Sequence, residues 1–288
     1  MFRCTALLLF CLPLAAQVPP LPPVSLAETP AMREAAALAA STAASPQDWL
    51  TLAERSQWRE TGSYQEAVDF HKRLAAASRF ARLEPIGATS EGRPLYVLIV
   101  SRSRAFTPAA ARRTGKPVLL IQNGIHPGEN GGKDASMMLL RDLLVTRRLA
   151  ALLDHVIILS IPVFNADGHE NVSPYHRLHE NGPAAMGFRA TALNLNLNRD
   201  YLKADAPEMR AFLKLYAAWS PDFLLDNHVT DGGDAEYDAT IATHTEQDID
   251  PGVGGWVSQR FLPAFFDQLA KRGHVIGWYG APHPLTPS

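Results

Sequence analysis

Four short segments, 96–100, 118–122, 156–162 and 223–227, are dominated by apolar residues, and segments with helical spacing separate them. In 118–122 (VLLIQ) the apolar side chains fall on both faces of an extended chain. A strand of that kind is stable only in a sheet covered on both sides. Helices are predicted over 64–76, 133–145, 207–219 and 256–272, and a last strand over 274–278. Alternating strands and helices specify an α/β fold with a mostly parallel, mixed central sheet and helices on both faces. In such sheets ligand sites collect at the C-terminal ends of strands.

The first residues stand apart from this pattern. Residues 1–16 (MFRCTALLLFCLPLAA) place Arg3 before a short apolar run that ends in Ala15-Ala16, the layout of a secretory signal peptide. The expected location is therefore outside the cytoplasm, periplasmic or extracellular. Residues 17–45 read as a Pro/Ala-rich leader or linker, leaving 46–288 as the folded domain. Both cysteines, Cys4 and Cys11, fall in the signal peptide, so the processed chain has no disulfide, no thiolate metal site and no cysteine nucleophile. A net charge of −2 without a long basic run argues against nucleic acid as a partner. No apolar run reaches the roughly 18–20 residues of a membrane-spanning helix.

Chemistry concentrates just past two of the apolar strands. After 118–122 comes Asn123-Gly124-Ile125-His126-Pro127-Gly128-Glu129-Asn130. His126 and Glu129 are three apart, a spacing that puts both on one side of a helical turn and lets them share a metal. Glycines at 124, 128, 131 and 132 allow tight turns around it. Alone, His-x-x-Glu also recurs by chance. After 223–227 comes His228, the natural third ligand. Two imidazoles and a carboxylate leave a fourth zinc position for water. Among the other histidines, His71 reads as a helix-face residue and His155 as the opening of a strand. Further on, Leu193, Leu195 and Leu197 alternate with asparagines between Arg189 and Arg199. Arginines suit carboxylate capture and oxyanion stabilisation, and they equally suit surface ion pairs.

Five segments in order, 87–96 (GATSEGRPLY), 126–129 (HPGE), 162–168 (PVFNADG), 197–199 (LNR) and 226–228 (DNH), resemble the carboxypeptidase A-type zinc metallocarboxypeptidases. The resemblance runs from about residue 64 to about 231, over half of the chain. It implies a mixed eight-stranded sheet, one Zn²⁺ per chain on His126, Glu129 and His228, and peptide or protein C-termini as substrates. It implies that Asn198 and Arg199 bind the substrate carboxylate and that Arg189 stabilises the oxyanion. It gives Asn165, Asp167 and Gly168 a structural turn.

The sequence departs from the family in one respect. The family's general base is a Glu on a late strand, and counting from His228 places it beyond Ser288. None of the acids after His228, from Asp231 to Asp267, has the expected position, and the resemblance implies a domain incomplete at its C-terminus. Glu236 is a substitute base only in a new role, and Tyr279 is the weakly matched substrate tyrosine. The expected activity is hydrolysis of C-terminal peptide bonds. Rival readings are a secreted zinc-binding protein without catalysis, and deacylation of N-acyl amino acids on the same three ligands. A serine-hydrolase reading of 88–92 (ATSEG) fails on its missing first Gly and on its place before a strand.

Overall fold

Side chains alternate across the central strands, and successive residues enter two different cores. In the computed structural model, which describes residues 46–180, 182–229, 237–244 and 249–279, Leu98, Val100, Ile121 and Ile158 face one core. Val97, Ile99, Val118, Leu120, Ile157, Leu159 and Ile161 face the other. The leader and linker assigned to residues 1–45 lie outside the described residues.

The main sheet has five strands in the order β1-β2-β4-β3-β7. These are β1 (Ala81–Ala88), β2 (Pro94–Val100), β3 (Val118–Asn123), β4 (Ile157–Ile161) and β7 (Phe223–Asn227). β3 runs parallel to both β4 and β7, whereas β2 is antiparallel to its neighbours β1 and β4. Four strands therefore share one direction, and the sheet is mixed and mostly parallel as expected. Two small sheets pair β5 (Val172–Ser173) with β6 (Met186–Gly187), and β8 (Ala239–Ile241) with β9 (Ile276–Trp278). The eight-stranded sheet implied by the resemblance is represented, among the described residues, by these five strands.

Helices α1 (Tyr64–Ala77) and α3 (Gly131–Leu144) cover the first core. α1 starts where Ser63 accepts a hydrogen bond from the Glu66 N–H, and it buries Ala67, Val68, Phe70, His71 and Leu74 on one stripe. His71 is thus a core residue, not the helix-face residue its sequence suggests; its Nδ1–H donates to the Ala67 carbonyl at 2.7 Å. His155 does not open a strand but ends the 3₁₀ turn Ala150–Asp154, two residues before β4. Helices α2 (Pro108–Thr114) and α5 (Pro207–Trp219) cover the opposite face through Ala111, Met209, Phe212, Leu215 and Trp219. α5 begins with Pro207, whose missing N–H is no loss in a first turn. The α4 helix (Ala166–Glu170) follows β4.

The last helical stretch begins earlier than its apolar spacing suggests. It comprises α6 (Pro251–Trp256), a π-helical segment Val257–Phe261, and α7 (Leu262–Ala270). Asp250 caps its start by accepting from the Gly252 and Val253 N–H groups. No described helix is long and apolar enough to cross a membrane.

Candidate metal centre

The C-terminal ends of β3 and β7 lie side by side, with Gln122 opposite Asp226 and Asn123 opposite Asn227. The chain leaving β3 carries His126 and Glu129; the chain leaving β7 carries His228. His126 and Glu129 are not on a helix. They sit on a tight turn in which the Glu129 N–H donates to the His126 carbonyl at 3.2 Å, and α3 starts only at Gly131. Gly131 and Gly132 belong to that helix, so the turn is made upstream. Gly128 adopts φ +97°, and a Cβ there would lie 3.0 Å from the Arg177 Cγ.

The three predicted ligands converge. One ligand atom from each of His126, Glu129 and His228 lies within 4.8 Å of the others. His126 Nδ1–H donates to Glu129 Oε1 at 2.9 Å, and His228 Nδ1–H donates to Glu129 Oε2 at 2.8 Å. The two rings are 4.9 Å apart by centroid. His126 and Glu129 are buried, and the His228 side chain is 32% exposed, so the group opens to solvent on one side. Burial alone would push Glu129 up, but hydrogen bonds from His126 and His228 outweigh it and hold the carboxyl well below its ordinary range. Burial disfavours the His228 cation, yet Asp226 and Glu129 outweigh that too and raise it to about 9.

This donor set fits a divalent zinc ion. Two imidazole nitrogens and a carboxylate are the ligand types of a catalytic zinc site, and both Nδ1 atoms face the same carboxylate. Protons and metal compete for these nitrogens, so metal would displace the two N–H protons now aimed at Glu129.

Two arginines border the group. Arg189 NH1 lies 3.5 Å from Glu129 Oε1. Its loop is held by α4: Asn165 donates to the Arg189 carbonyl at 3.3 Å, and the Phe188 N–H donates to the Gly168 carbonyl at 2.7 Å. Gly168 is packed so closely that a Cβ would lie 2.5 Å from the carbonyl oxygens of Phe188 and Ala190. Asn165 and Gly168 therefore do form a structural turn, in which the Asn165 side chain caps α4. Asp167 completes it by accepting from Thr89, Ser90, the Glu91 N–H and Arg93. That bonding places Ser90 in the β1–β2 connection and leaves it no nucleophile elbow.

Arg177 is a site residue that sequence reasoning missed. It is buried, its NH2 lies 2.7 Å from Glu129 Oε1, and it also pairs with Glu180. It lies in an irregular stretch without periodicity or motif, and no sequence signal marks it. Asn198 and Arg199 are on the 3₁₀ turn Leu197–Arg199. Arg199 is exposed and donates to the Asn198 carbonyl at 2.6 Å. Neither residue bonds His126, Glu129 or His228 among the described residues. Tyr279 is exposed, and its backbone N–H donates to the Ile241 carbonyl at 3.0 Å. Asp231, Asp234, Glu236, Glu246 and Asp248 lie outside the described residues.

A zinc carboxypeptidase family profile matches residues 68–229, which include all three converging ligands. The chain belongs to the zinc carboxypeptidase family. It is 28% identical over 195 residues to Carboxypeptidase 2 of Trichophyton rubrum, covering 64% of this chain and 33% of that protein. It is 25% identical over 231 residues to Carboxypeptidase D of Mus musculus, covering 70% of this chain and 16% of that protein. The match thus spans a third or less of the length of these curated relatives. Among solved structures, carboxypeptidase A from Helicoverpa armigera matches with a TM-score of 0.58 at 17% identity, covering 86% of this chain and 63% of that one. A metallo-carboxypeptidase from Burkholderia cenocepacia matches with a TM-score of 0.53 at 21% identity, covering 75% and 53%. These structures establish the carboxypeptidase fold for the chain; the family is zinc-dependent.

Proposed function

We propose that this protein is an exported zinc metallocarboxypeptidase that hydrolyses the C-terminal peptide bond of peptides or proteins. The observation that carries the reading is the convergence of His126 and His228 on the two oxygens of Glu129, at the C-terminal ends of adjacent parallel strands. Export rests on the signal-like residues 1–16.

Zinc, when bound, supplies a Lewis acid and a water of lowered pKa. The chain's own residues do the rest. His126, Glu129 and His228 hold the ion. Arg189, at the rim of the triad, offers its guanidinium to the oxyanion that develops on the attacked carbonyl. Asn198 and Arg199 receive the substrate's terminal carboxylate. The exposed Arg199 guanidinium, now bonded only to its neighbour's carbonyl in the described structure, is available for that exchange. The carboxylates at the site, Glu129, Asp226 and Glu180, are each committed to a histidine or an arginine. Of the described acids beyond His228, Asp238 bonds Val275 and His274, Asp250 caps α6, and Asp267 pairs with Lys271. The proton acceptor for the attacking water is therefore assigned to none of these.

The test is release of the C-terminal amino acid from a short peptide, with and without a zinc chelator, set beside the same peptide carrying a C-terminal amide. The proposal expects chelator-sensitive release from the free acid and far slower release from the amide. Zinc binding without any release would favour the non-catalytic reading.

A further inference from the structure

The sheet places a second carboxylate behind the metal group. In a strand, residues two apart share a face, so Asp226, on β7, and His228, just past its end, point the same way. His228 Nε2–H donates to Asp226 Oδ2 at 3.1 Å, while the Nδ1 of the same ring points to Glu129 at 2.8 Å. The parallel register sets Gln122 directly opposite Asp226. Its amide donates to Asp226 Oδ1 at 2.9 Å and to the Tyr201 hydroxyl at 3.0 Å. Gln122 is fully buried. Both Asp226 oxygens are thus bonded, one to a fixed amide and one to the ring.

We infer that Asp226 is the positioning residue for His228, fixing the tautomer and ring orientation that turn Nδ1 toward the metal site. The inference rests on the ligand assignment proposed above. The physical reason for such a residue lies in the asymmetry of the two histidines. The His126 ring is enclosed, so packing limits its rotation in addition to its bond to Glu129; its Nε2 is buried without a hydrogen-bond partner among the described residues. The His228 ring is partly exposed and needs a bond to hold it. A carboxylate on the far nitrogen supplies that bond and makes the near nitrogen a better donor. The Tyr201–Gln122–Asp226 chain fixes the carboxylate in turn.

The experiment measures zinc affinity by competition with a chromogenic chelator, and the absorption spectrum of the Co²⁺-substituted protein, for wild type, Asp226→Ala, Asp226→Asn and His228→Ala. Asp226→Ala is expected to weaken zinc binding by about 10- to 100-fold and to alter the Co²⁺ bands. Asp226→Asn is expected to recover most of the affinity. Its amide oxygen still accepts from the His228 Nε2–H, and Gln122 can turn its amide over to present Oε1, an atom without a partner among the described residues. His228→Ala is expected to lose more affinity than either. An Asp226→Ala protein that binds zinc within twofold of wild type would overturn the inference, as would an Asp226→Asn protein as weak as Asp226→Ala. Unchanged zinc affinity in His228→Ala would overturn the ligand assignment itself. If Asp226→Ala does not fold, imidazole ¹⁵N spectra of the zinc-loaded wild type decide. A proton on His228 Nε2 and none on Nδ1 supports the inference, and the reverse overturns it.

Discussion

His228 Nδ1 and Glu129 Oε2 meet at 2.8 Å although 99 residues separate them in the chain. The parallel pairing of β3 with β7 brings them together, because it aligns Asn123 with Asn227 at the ends of the two strands. A second polar row reinforces that register: Asn227 donates to the Asn123 side-chain oxygen at 2.7 Å, and the Ser136 hydroxyl to the same oxygen at 3.0 Å. The metal group is thus a consequence of strand register, and its properties follow from side chains that the register supplies.

Arg189, the residue proposed to meet the developing oxyanion, lies 3.5 Å from Glu129 Oε1, with its loop bonded to α4 through Asn165 and Gly168. Replacing it with alanine should lower kcat by about 10²- to 10³-fold while leaving zinc content unchanged. Steady-state kinetics on a blocked peptide with a free C-terminus, with metal analysis alongside, measure both. A kcat within a few-fold of wild type would remove Arg189 from the reaction.

Arg199 is assigned to the carboxylate of the substrate. Arg199→Ala should raise KM for free-acid peptides strongly and leave the already poor handling of amidated peptides as it was. Equal losses on both kinds of peptide would contradict a carboxylate clamp.

Gly168 tests the link between the turn and the site. A methyl group there meets two backbone carbonyls at 2.5 Å, so the 188–190 segment must move. Gly168→Ala is expected to cost about 1–3 kcal/mol in stability. Activity should fall further than the melting temperature explains, because Arg189 lies in that segment. Denaturant unfolding and kinetics on the same preparation separate the two effects, and a variant with normal activity would uncouple the turn from Arg189.

His71 gives the fold a defined acid sensitivity. Burial lowers it from 6.5 to about 4, against the opposing effect of its bond to the Ala67 carbonyl. Between those values the unfolded chain takes up a proton that the native state refuses. Stability is therefore full above about pH 6.5 and falls as pH drops toward 4, by on the order of 3 kcal/mol. His71→Leu should flatten this part of the pH–stability curve relative to wild type. Parallel curves for the two proteins would show that His71 does not titrate as described.

Much of this architecture is legible in the sequence, for reasons that differ by element. β3 and β4 announce themselves because burial on both faces demands mostly apolar runs, and α5 because Met209, Phe212, Leu215 and Trp219 recur at helical spacing. β1 is hidden: Pro85 interrupts it, and its register slips between Pro85 and Gly87. An edge strand tolerates both, but the two together erase the sequence pattern. His126, Glu129 and His228 could be named from residue type and spacing. The turn that carries His126 and Glu129 was less legible, since a three-residue spacing suits a helix equally well. Arg177 and the Gln122–Asp226 bond depend on chain segments far apart in sequence, and no local pattern encodes them.

The most direct test of the metal centre is the zinc content of the protein after exhaustive dialysis against a low, buffered zinc concentration, measured for wild type and Glu129→Ala. The arrangement of two imidazoles on one buried carboxylate predicts one zinc per wild-type chain and a large loss in the variant, with the native circular dichroism kept. A wild type that retains no zinc, or a Glu129→Ala protein that retains as much as wild type, would contradict it.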